Sequence, residues 1–138
     1  MSSLPPSAEP PPAQPGLPEA EVLDHSILRG LRALEARAGK ALLPEMAEMF
    51  EGYAARYCGR IRQALRTRDA AALRMGSHKL KGSSRALGLA RLSVTCARLE
   101  AMAVDVVWEQ AEQEVSLIEG ETARAMAALR DYLGVSKG

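Results

Sequence analysis

One histidine, His78, stands among residues whose types and spacing suit group transfer on an imidazole ring. Lys81 follows it at +3, Gly82 at +4 and Glu100 at +22. An imidazole that accepts a phosphoryl group needs a cation nearby, an open approach path and a carboxylate that fixes its tautomer. The segment from His78 to Glu100 offers one candidate residue for each of these tasks.

The helix predicted over residues 70–86 places His78 opposite its apolar side. The predicted core face carries Leu73, Gly76, Leu80, Ser83 and Leu87. Six residues lie within about 60° of His78 on a helical wheel: Ala71, Arg74, Met75, Lys81, Gly82 and Arg85. Lysines and arginines beside a surface histidine are usually just a solvated face. Gly82 is harder to explain in that way, because glycine inside a helix costs about 0.5–1 kcal/mol relative to alanine.

The next predicted helix, from Leu89 to about Ala103, carries Glu100 at the edge of its apolar seam. If this helix pairs antiparallel with the previous one through Gly88, Glu100 comes to the level of His78. Its carboxylate would then accept a hydrogen bond from Nδ1–H and leave the Nε2 lone pair free. Without such pairing Glu100 is an ordinary surface glutamate.

Three further helices complete the expected fold. Asp24 is a predicted N-cap for a helix that ends at Gly39, and a second helix runs from about Leu42 to Thr67. Asp105 is a predicted cap for a last helix that reaches about Leu133. Because no segment alternates with period two, we expect an all-α protein: an antiparallel four-helix bundle with a shorter N-terminal helix packed on it.

Both ends of the chain fall outside the predicted bundle, which spans residues 20–134. Seven of the eight prolines lie between Pro5 and Pro18. We therefore expect residues 1–19 to be a disordered tail or linker, with a ligand for an SH3-type domain as the alternative. Residues 135–138 are expected to be a short C-terminal tail.

Composition excludes several classes of function. The net charge of +1 gives no reason to expect nucleic acid or an anionic membrane as partner, and no apolar run is long enough to span a bilayer. The start of the chain lacks the pattern of a secretory signal. Cys58 and Cys96 have no metal-ligand spacing, so we expect two reduced thiols, no metal and a cytoplasmic location.

The stretch around His78 resembles the signature of histidine-containing phosphotransfer (HPt) domains. The shared features are a histidine followed by Leu80-Lys81-Gly82-Ser83, a Leu87-Gly88 break, and a pattern that runs from Leu92 through Cys96 to Leu99-Glu100. The match is tight over residues 69–100, and the Leu23-Asp24 pair is similar to the start of the family's first helix. Ser77 and Lys79 stand where alanine and a hydroxyl residue are frequent in the family.

The resemblance implies that His78 is the phosphoacceptor and that Lys81 helps to neutralise the phosphoryl oxygens. It implies that Gly82 leaves room for the partner's aspartate and that Glu100 orients the ring. The expected partners are a response-regulator receiver domain and a histidine kinase or hybrid kinase. We expect a phosphorelay intermediate rather than an enzyme, with no cofactor, since the chain has no nucleotide-binding motif.

The docking surface is expected to surround His78 in a monomeric protein. The candidate contacts are Ile27, Leu28, Arg74, Met75, Lys79 and Arg85. Ile27 or Leu28 has to pack the first helix onto the bundle, so at least one of this pair should be buried. Three rival functions are a helical scaffold in which His78 is idle, a hydrolytic or metal site, and a basic nucleic-acid binder. His25 is the only other histidine and no HExxH spacing exists, which disfavours the second rival.

Overall fold

A computed structural model describes residues 20–134, which form five α-helices and no strand. The predictions for residues 1–19 and 135–138 lie outside this range. The helices are α1 (His25–Ala38), α2 (Leu43–Thr67), α3 (Ala70–Ala86), α4 (Ala90–Met102) and α5 (Trp108–Leu133). The predicted all-α fold is confirmed.

The helices α2, α3, α4 and α5 form a four-helix bundle. Helix α3 packs between α2 and α4, and α5 packs against α2 and α4 on the opposite side. Short connections between successive helices make neighbours antiparallel. Helix α1 contacts α2 and lies over the end of the bundle where the α3–α4 turn is found, because the Asp24 N–H donates to the Gly88 carbonyl at 2.7 Å. Among residues 20–134 no helix is both long and apolar enough to cross a membrane.

Local capping explains most helix boundaries. The Asp24 side chain accepts hydrogen bonds from the first turn of α1, and Gly39 ends that helix with a φ of 70°. Asp69 caps α3 by accepting from the Ala72 N–H at 3.0 Å. The prediction that Asp105 caps the last helix is wrong. Helix α5 begins at Trp108 after Val107, which offers no side-chain cap, because Asp105 belongs to the turn that follows α4.

The buried face of α3 differs in one position from the predicted one. Leu73, Gly76 and Leu80 are buried as expected, but Ser83 is only half-buried. Two other serines, Ser77 and Ser84, are buried in its place, and their hydroxyls donate to the carbonyls of Leu73 and Leu80. Serines satisfied in this way are small enough for α4 to pack closely against that side of α3.

A close approach of α2 to α3 requires Gly76. A Cβ at this position would lie 2.8 Å from Cγ1 of Ile61, which is itself fully buried. Since α2 and α4 hold α3 from both sides, the remaining side of α3 is fixed in its orientation toward solvent. That side carries His78.

The junction between α1 and α2 is organised by one carboxylate. Glu35 accepts hydrogen bonds from Arg32 at 2.8 Å and from the backbone N–H groups of Leu42 and Leu43 at 2.7 and 2.8 Å. The Arg32 hydrogen bond, followed by the two backbone bonds, lowers the pKa of Glu35 from 4.5 to about 2. Glu35 therefore supplies the cap that Leu42 itself cannot give to α2.

Replacing Glu35 by glutamine should give a pH-dependent loss of stability. The folded pKa lies below the unfolded value, so this contribution is fully present above pH 4.5 and is lost as the pH falls toward about 2. Urea unfolding of wild type and Glu35→Gln between pH 2 and 7 should show a difference in unfolding free energy that is largest at neutral pH and shrinks in that window. Glu48→Gln removes the same charge at an exposed position of α2 and serves as the control for the loss of one carboxylate. A Glu35→Gln difference that does not change with pH would contradict the assignment.

Candidate functional site

His78 lies near the middle of α3 with most of its side chain in solvent. The side chain is 62% exposed, whereas its α3 neighbours Ser77 and Leu80 are fully buried. The prediction that His78 points away from the core is confirmed. An exposed imidazole is open to a second protein without any rearrangement of the bundle.

The carboxylate of Glu100 on α4 bridges two side chains of α3. Its Oε2 lies 2.9 Å from Nδ1 of His78, and its Oε1 accepts a hydrogen bond from Nζ of Lys81 at 2.7 Å. The predicted contact between Glu100 and the His78 ring is therefore confirmed. A carboxylate only accepts hydrogen bonds, so Nδ1 carries the proton and Nε2 is left as the basic nitrogen of the neutral ring.

The charge on Glu100 is maintained by its two partners. The Lys81 ammonium, and to a smaller extent the His78 ring, lower the pKa of Glu100, while partial burial works in the opposite direction. The carboxylate therefore stays ionised at neutral pH, as an acceptor for Nδ1–H must be. The contact to Lys81 was not expected from the sequence, which suggested only a cation near the ring.

Gly82 opens a gap on the surface one turn after His78. A Cβ placed on Gly82 would meet nothing within 4 Å. Packing inside this chain thus gives no reason for a glycine, in contrast to Gly76. The open space beside the ring is consistent with the predicted role of Gly82 as a clearance for a partner.

The exposed face of α3 is positively charged. The helix contains Arg74, Lys79, Lys81 and Arg85 and no acidic residue. Lys81 is paired with Glu100, whereas Arg74, Lys79 and Arg85 are exposed and have no ion pair among residues 20–134. Met75 lies on the same face and is 61% exposed. The predicted contact residues of α3 therefore share one basic surface with His78.

The two predicted contacts on α1 have different surroundings. Ile27 is 38% exposed, but Leu28 is 0% exposed and belongs to the hydrophobic core. The prediction of Leu28 as a docking residue is wrong, because its side chain is the one that anchors α1 to the bundle. The expectation that at least one of this pair is buried is confirmed.

An apolar groove between α2 and α3 was missed by the sequence analysis. It has a volume of about 270 Å³ and is lined by Met46, Met49, Phe50, Tyr53, Ser83, Ala86 and Leu87. Met49 is 74% exposed and lies outside the apolar seam of α2, which is the signal that would have identified it. Since Ser83 follows Gly82 in the chain, the groove begins directly beside the open gap.

No metal centre is formed by the described residues. Within residues 20–134 no group of three or more histidine, cysteine, aspartate or glutamate side chains is arranged to bind a metal ion. Burial raises the pKa of the Cys96 thiol, which keeps it protonated in the core. The reactive and charged side chains that the structure brings together at the site are His78, Lys81 and Glu100.

Comparison with known proteins identifies the family of this site. The model of the Hpt domain matches residues 45–133. No curated protein sequence gives a significant match. The structure of histidine-containing phosphotransfer protein B from Pseudomonas aeruginosa superposes with a TM-score of 0.73 at 24% identity, covering 83% of this chain and 96% of that one. A histidine-containing phosphotransfer protein from maize gives a TM-score of 0.76 at 18% identity, covering 84% of this chain and 86% of that one.

The chain belongs to the Hpt domain family, because the family model matches more than half of its length. The two structures, at identities below 25%, support the shared helical-bundle fold. The function of the chain is histidine phosphotransfer in a two-component phosphorelay, where a phosphoryl group passes between a histidine and an aspartate of a receiver domain.

Removing the Glu100 carboxylate should change the tautomer of His78. In wild type the neutral ring should carry its proton on Nδ1, and Glu100→Ala should move a large part of the population to Nε2–H. ¹⁵N NMR of the imidazole nitrogens measures this directly, with His25 as an internal reference. Phosphorylation by a small-molecule donor such as phosphoramidate should also slow by about tenfold or more, since a protonated Nε2 cannot attack phosphorus.

Lys81→Met provides the matched control for this experiment. It removes the second partner of Glu100 but leaves the carboxylate beside Nδ1, so the His78 tautomer should stay as in wild type. If Glu100→Ala leaves the nitrogen shifts of His78 unchanged, the hydrogen bond does not govern the ring.

Proposed function

We propose that His78 is the phosphoacceptor of this Hpt domain and that its Nε2 is the nucleophile. The observation that carries the proposal is the 2.9 Å contact of Nδ1 with Glu100, which leaves the other nitrogen of an exposed ring to react. His25 shows no comparable arrangement, because its ring packs against Tyr132 at 5.8 Å between centroids.

The transfer step follows from the two ring nitrogens. The Nε2 lone pair attacks the phosphorus of the acyl phosphate on the receiver aspartate. A P–N bond forms as the P–O bond to the carboxylate breaks, and the aspartate leaves as a free carboxylate. The proton on Nδ1 stays in its hydrogen bond to Glu100, whose negative charge stabilises the positive charge that develops on the ring. Reversal of the same step returns the phosphoryl group to a receiver.

Lys81 is proposed to stabilise the charge of the phosphoryl group. Its ammonium is held by the same carboxylate that holds the ring, so the cation and the nucleophile keep a common anchor. A phosphoryl group adds about −1.5 to −2 charge at neutral pH. The half-buried Lys81 ammonium shares Glu100 with the His78 ring. Phosphoryl transfer depends mainly on such positioning and charge stabilisation.

The receiver domain is proposed to dock over the exposed face of α3. The gap at Gly82 admits its aspartate, and the apolar groove that includes Met49 accepts apolar side chains beside it. Arg74, Lys79 and Arg85 form a basic rim, while Ile27 and Met75 add exposed apolar contacts. An apolar patch bordered by cations suits an acidic partner surface with an apolar centre.

The remaining features of the proposal concern the state of the protein. His78, Lys81 and Glu100 come from one chain, which supports a monomer as the active unit. The net charge of +1 argues against nucleic acid as a partner.

The sequence has no nucleotide-binding motif, so the domain passes on a phosphoryl group that a histidine kinase or hybrid kinase supplies. Cys58 and Cys96, both free thiols, support a reducing cytoplasmic setting.

His78→Gln should abolish phosphorylation without unfolding the bundle. The side chain is exposed, so helicity and the unfolding midpoint should stay close to those of wild type, within about 0.5 kcal/mol. Incubation with phosphoramidate, followed by an assay for acid-labile phosphate, should label wild type and His25→Gln but not His78→Gln. Equal labelling of His78→Gln and wild type would overturn the assignment of the acceptor.

Gly82→Gln should separate helix stability from phosphotransfer. The added side chain enters open space, so the variant should be more stable by about 0.5 kcal/mol, since glycine is a poor helix former. Transfer to a receiver domain should nevertheless slow sharply, because the side chain occupies the approach path of the aspartate. Gly82→Ala is the control with a small side chain. It should also gain stability, with a much smaller effect on the transfer rate. Unimpaired transfer by Gly82→Gln would refute the role of the gap.

A further inference from the structure

A second groove between α2 and α3 lies toward the N-terminal end of α3 from His78, whereas the apolar groove lies toward its C-terminal end. Its volume is about 390 Å³, and we name it the arginine groove after Arg56 and Arg60, which line it together with Gly59, Gln63 and Met75. Met75 lies one helical turn before His78. The groove is therefore continuous with the surface proposed to meet the receiver domain.

The two arginines lack compensating charge. Both are exposed, and neither has an ion pair among the described residues, whereas Arg62 of the same helix pairs with Glu119 of α5 at 2.6 Å. The Arg60 guanidinium lies 5.2 Å from the ring centre of Tyr57, which holds it at the wall of the groove. The acidic group that lines the groove is Asp69, whose carboxylate caps α3 through Ala72. The groove thus carries two arginines without ion pairs and one carboxylate that already caps α3.

Gly59 is one of four helical glycines within residues 20–134 that packing does not explain, with Gly30, Gly52 and Gly82, and it is the one of them that lines the arginine groove. It is exposed in the middle of the 25-residue helix α2, and a Cβ at this position would meet nothing within 4 Å. Glycine weakens a helix relative to alanine, so the sequence tolerates a less stable helix here. Gly82 has the same property beside His78, whereas Gly59 leaves its space in the arginine groove itself.

We propose that the arginine groove is a second contact site for the receiver domain and takes an acidic segment of it, with carboxylates on Arg56 and Arg60 and an apolar side chain against Met75. This inference rests on the proposed function of His78. A stable protein interface covers about 800 Å² on each partner, far more than one imidazole and the gap beside it. A receiver centred on His78 therefore has to cover surface on both sides of the ring.

The charge of the groove makes the receiver's acidic segment the fitting occupant. Arginine binds carboxylates through a planar fork of N–H donors and is enriched in the binding centres of interfaces. Opposite charges at an interface chiefly raise the association rate and discriminate between partners. The groove would thus select among receivers, while the chemistry stays at His78.

Charge reversal of the two arginines tests the inference. His78 of each variant is first phosphorylated by phosphoramidate, so that no kinase is needed. The receiver domain is chosen from a panel as the one that removes the phosphoryl group from wild type fastest. Transfer rates are then followed over a range of receiver concentrations. Arg56→Glu/Arg60→Glu should raise KM for the receiver by about tenfold or more and change the maximal rate much less. The difference should shrink in high salt.

Two further variants keep the result interpretable. Arg37→Glu/Lys40→Glu makes the same change in net charge at exposed positions outside both grooves, and KM should stay near that of wild type. Gly59→Gln fills the groove without changing charge and favours the helix, so it tests the site even if the charge reversal disturbs folding; its KM should also rise.

Each outcome separates the inference from the function on which it rests. An unchanged KM in both groove variants overturns the receiver site, and so does an equal rise in the Arg37/Lys40 control, which would indicate general electrostatic steering. Binding of the groove to anionic vesicles or RNA in place of the receiver would also overturn it. Failure of the proposed function would be seen before any receiver is added. In that case phosphoramidate would phosphorylate His78→Gln as well as wild type.

Discussion

The site depends on one carboxylate that reaches from α4 to two side chains of α3. Glu100 holds Nδ1 of His78 and the ammonium of Lys81, so the orientation of the imidazole ring is tied to the register between two helices. The turn between them sets that register. Gly88 adopts a φ of 75°, which favours glycine, and its carbonyl accepts a hydrogen bond from the N–H of Asp24. The start of α1 therefore braces the turn that aligns the site.

The bundle assigns different tasks to the two sides of α3. The buried side consists of leucines, Gly76 and serines whose hydroxyls donate to backbone carbonyls of the same helix. Its packing fixes the rotation of the helix. The exposed side gathers cations that have no acidic neighbour on the same helix. Glutamates are concentrated instead on α5, where Glu119 pairs with Arg62, and where buried Glu114 and Glu121 pair with arginines of α4. The unpaired positive charge on α2 and α3 lies on the surface that we propose to meet the receiver domain.

The sequence predicts those parts of the structure that follow from local rules. Helix ends at Asp24, Gly39 and Asp69 follow from capping, and the helical period places His78 on the solvent side of α3. The start of α5 at Trp108 could not be predicted in the same way, because the N-cap residue Val107 has no polar side chain. Burial of Glu121 could not be predicted either, since a glutamate is normally exposed. Its partner Arg124 is one turn away on α5, but Arg91 is brought to it from α4 only by packing.

The candidate site was accessible from the sequence to a similar degree. The proximity of Glu100 to His78 follows from the sequence if the two helices are assumed to pair antiparallel through Gly88. The bond from Lys81 to the same carboxylate does not follow, because it depends on side-chain rotamers. Leu28 and Ile27 are adjacent in sequence, and only the packing of α1 shows which of them is covered. The exposed Met49 and the groove beside it emerge only when α2 and α3 are placed together.

The position of the phosphoryl group on the imidazole tests the central claim most directly. Phosphorylation of a chain with ¹⁵N-labelled histidine, followed by ³¹P and ¹⁵N NMR, identifies the nitrogen that is bonded to phosphorus. With Glu100 holding Nδ1–H, the phosphorus should couple to Nε2 of His78 while Nδ1 keeps its proton. A phosphoryl group on Nδ1, or on His25, would contradict the account.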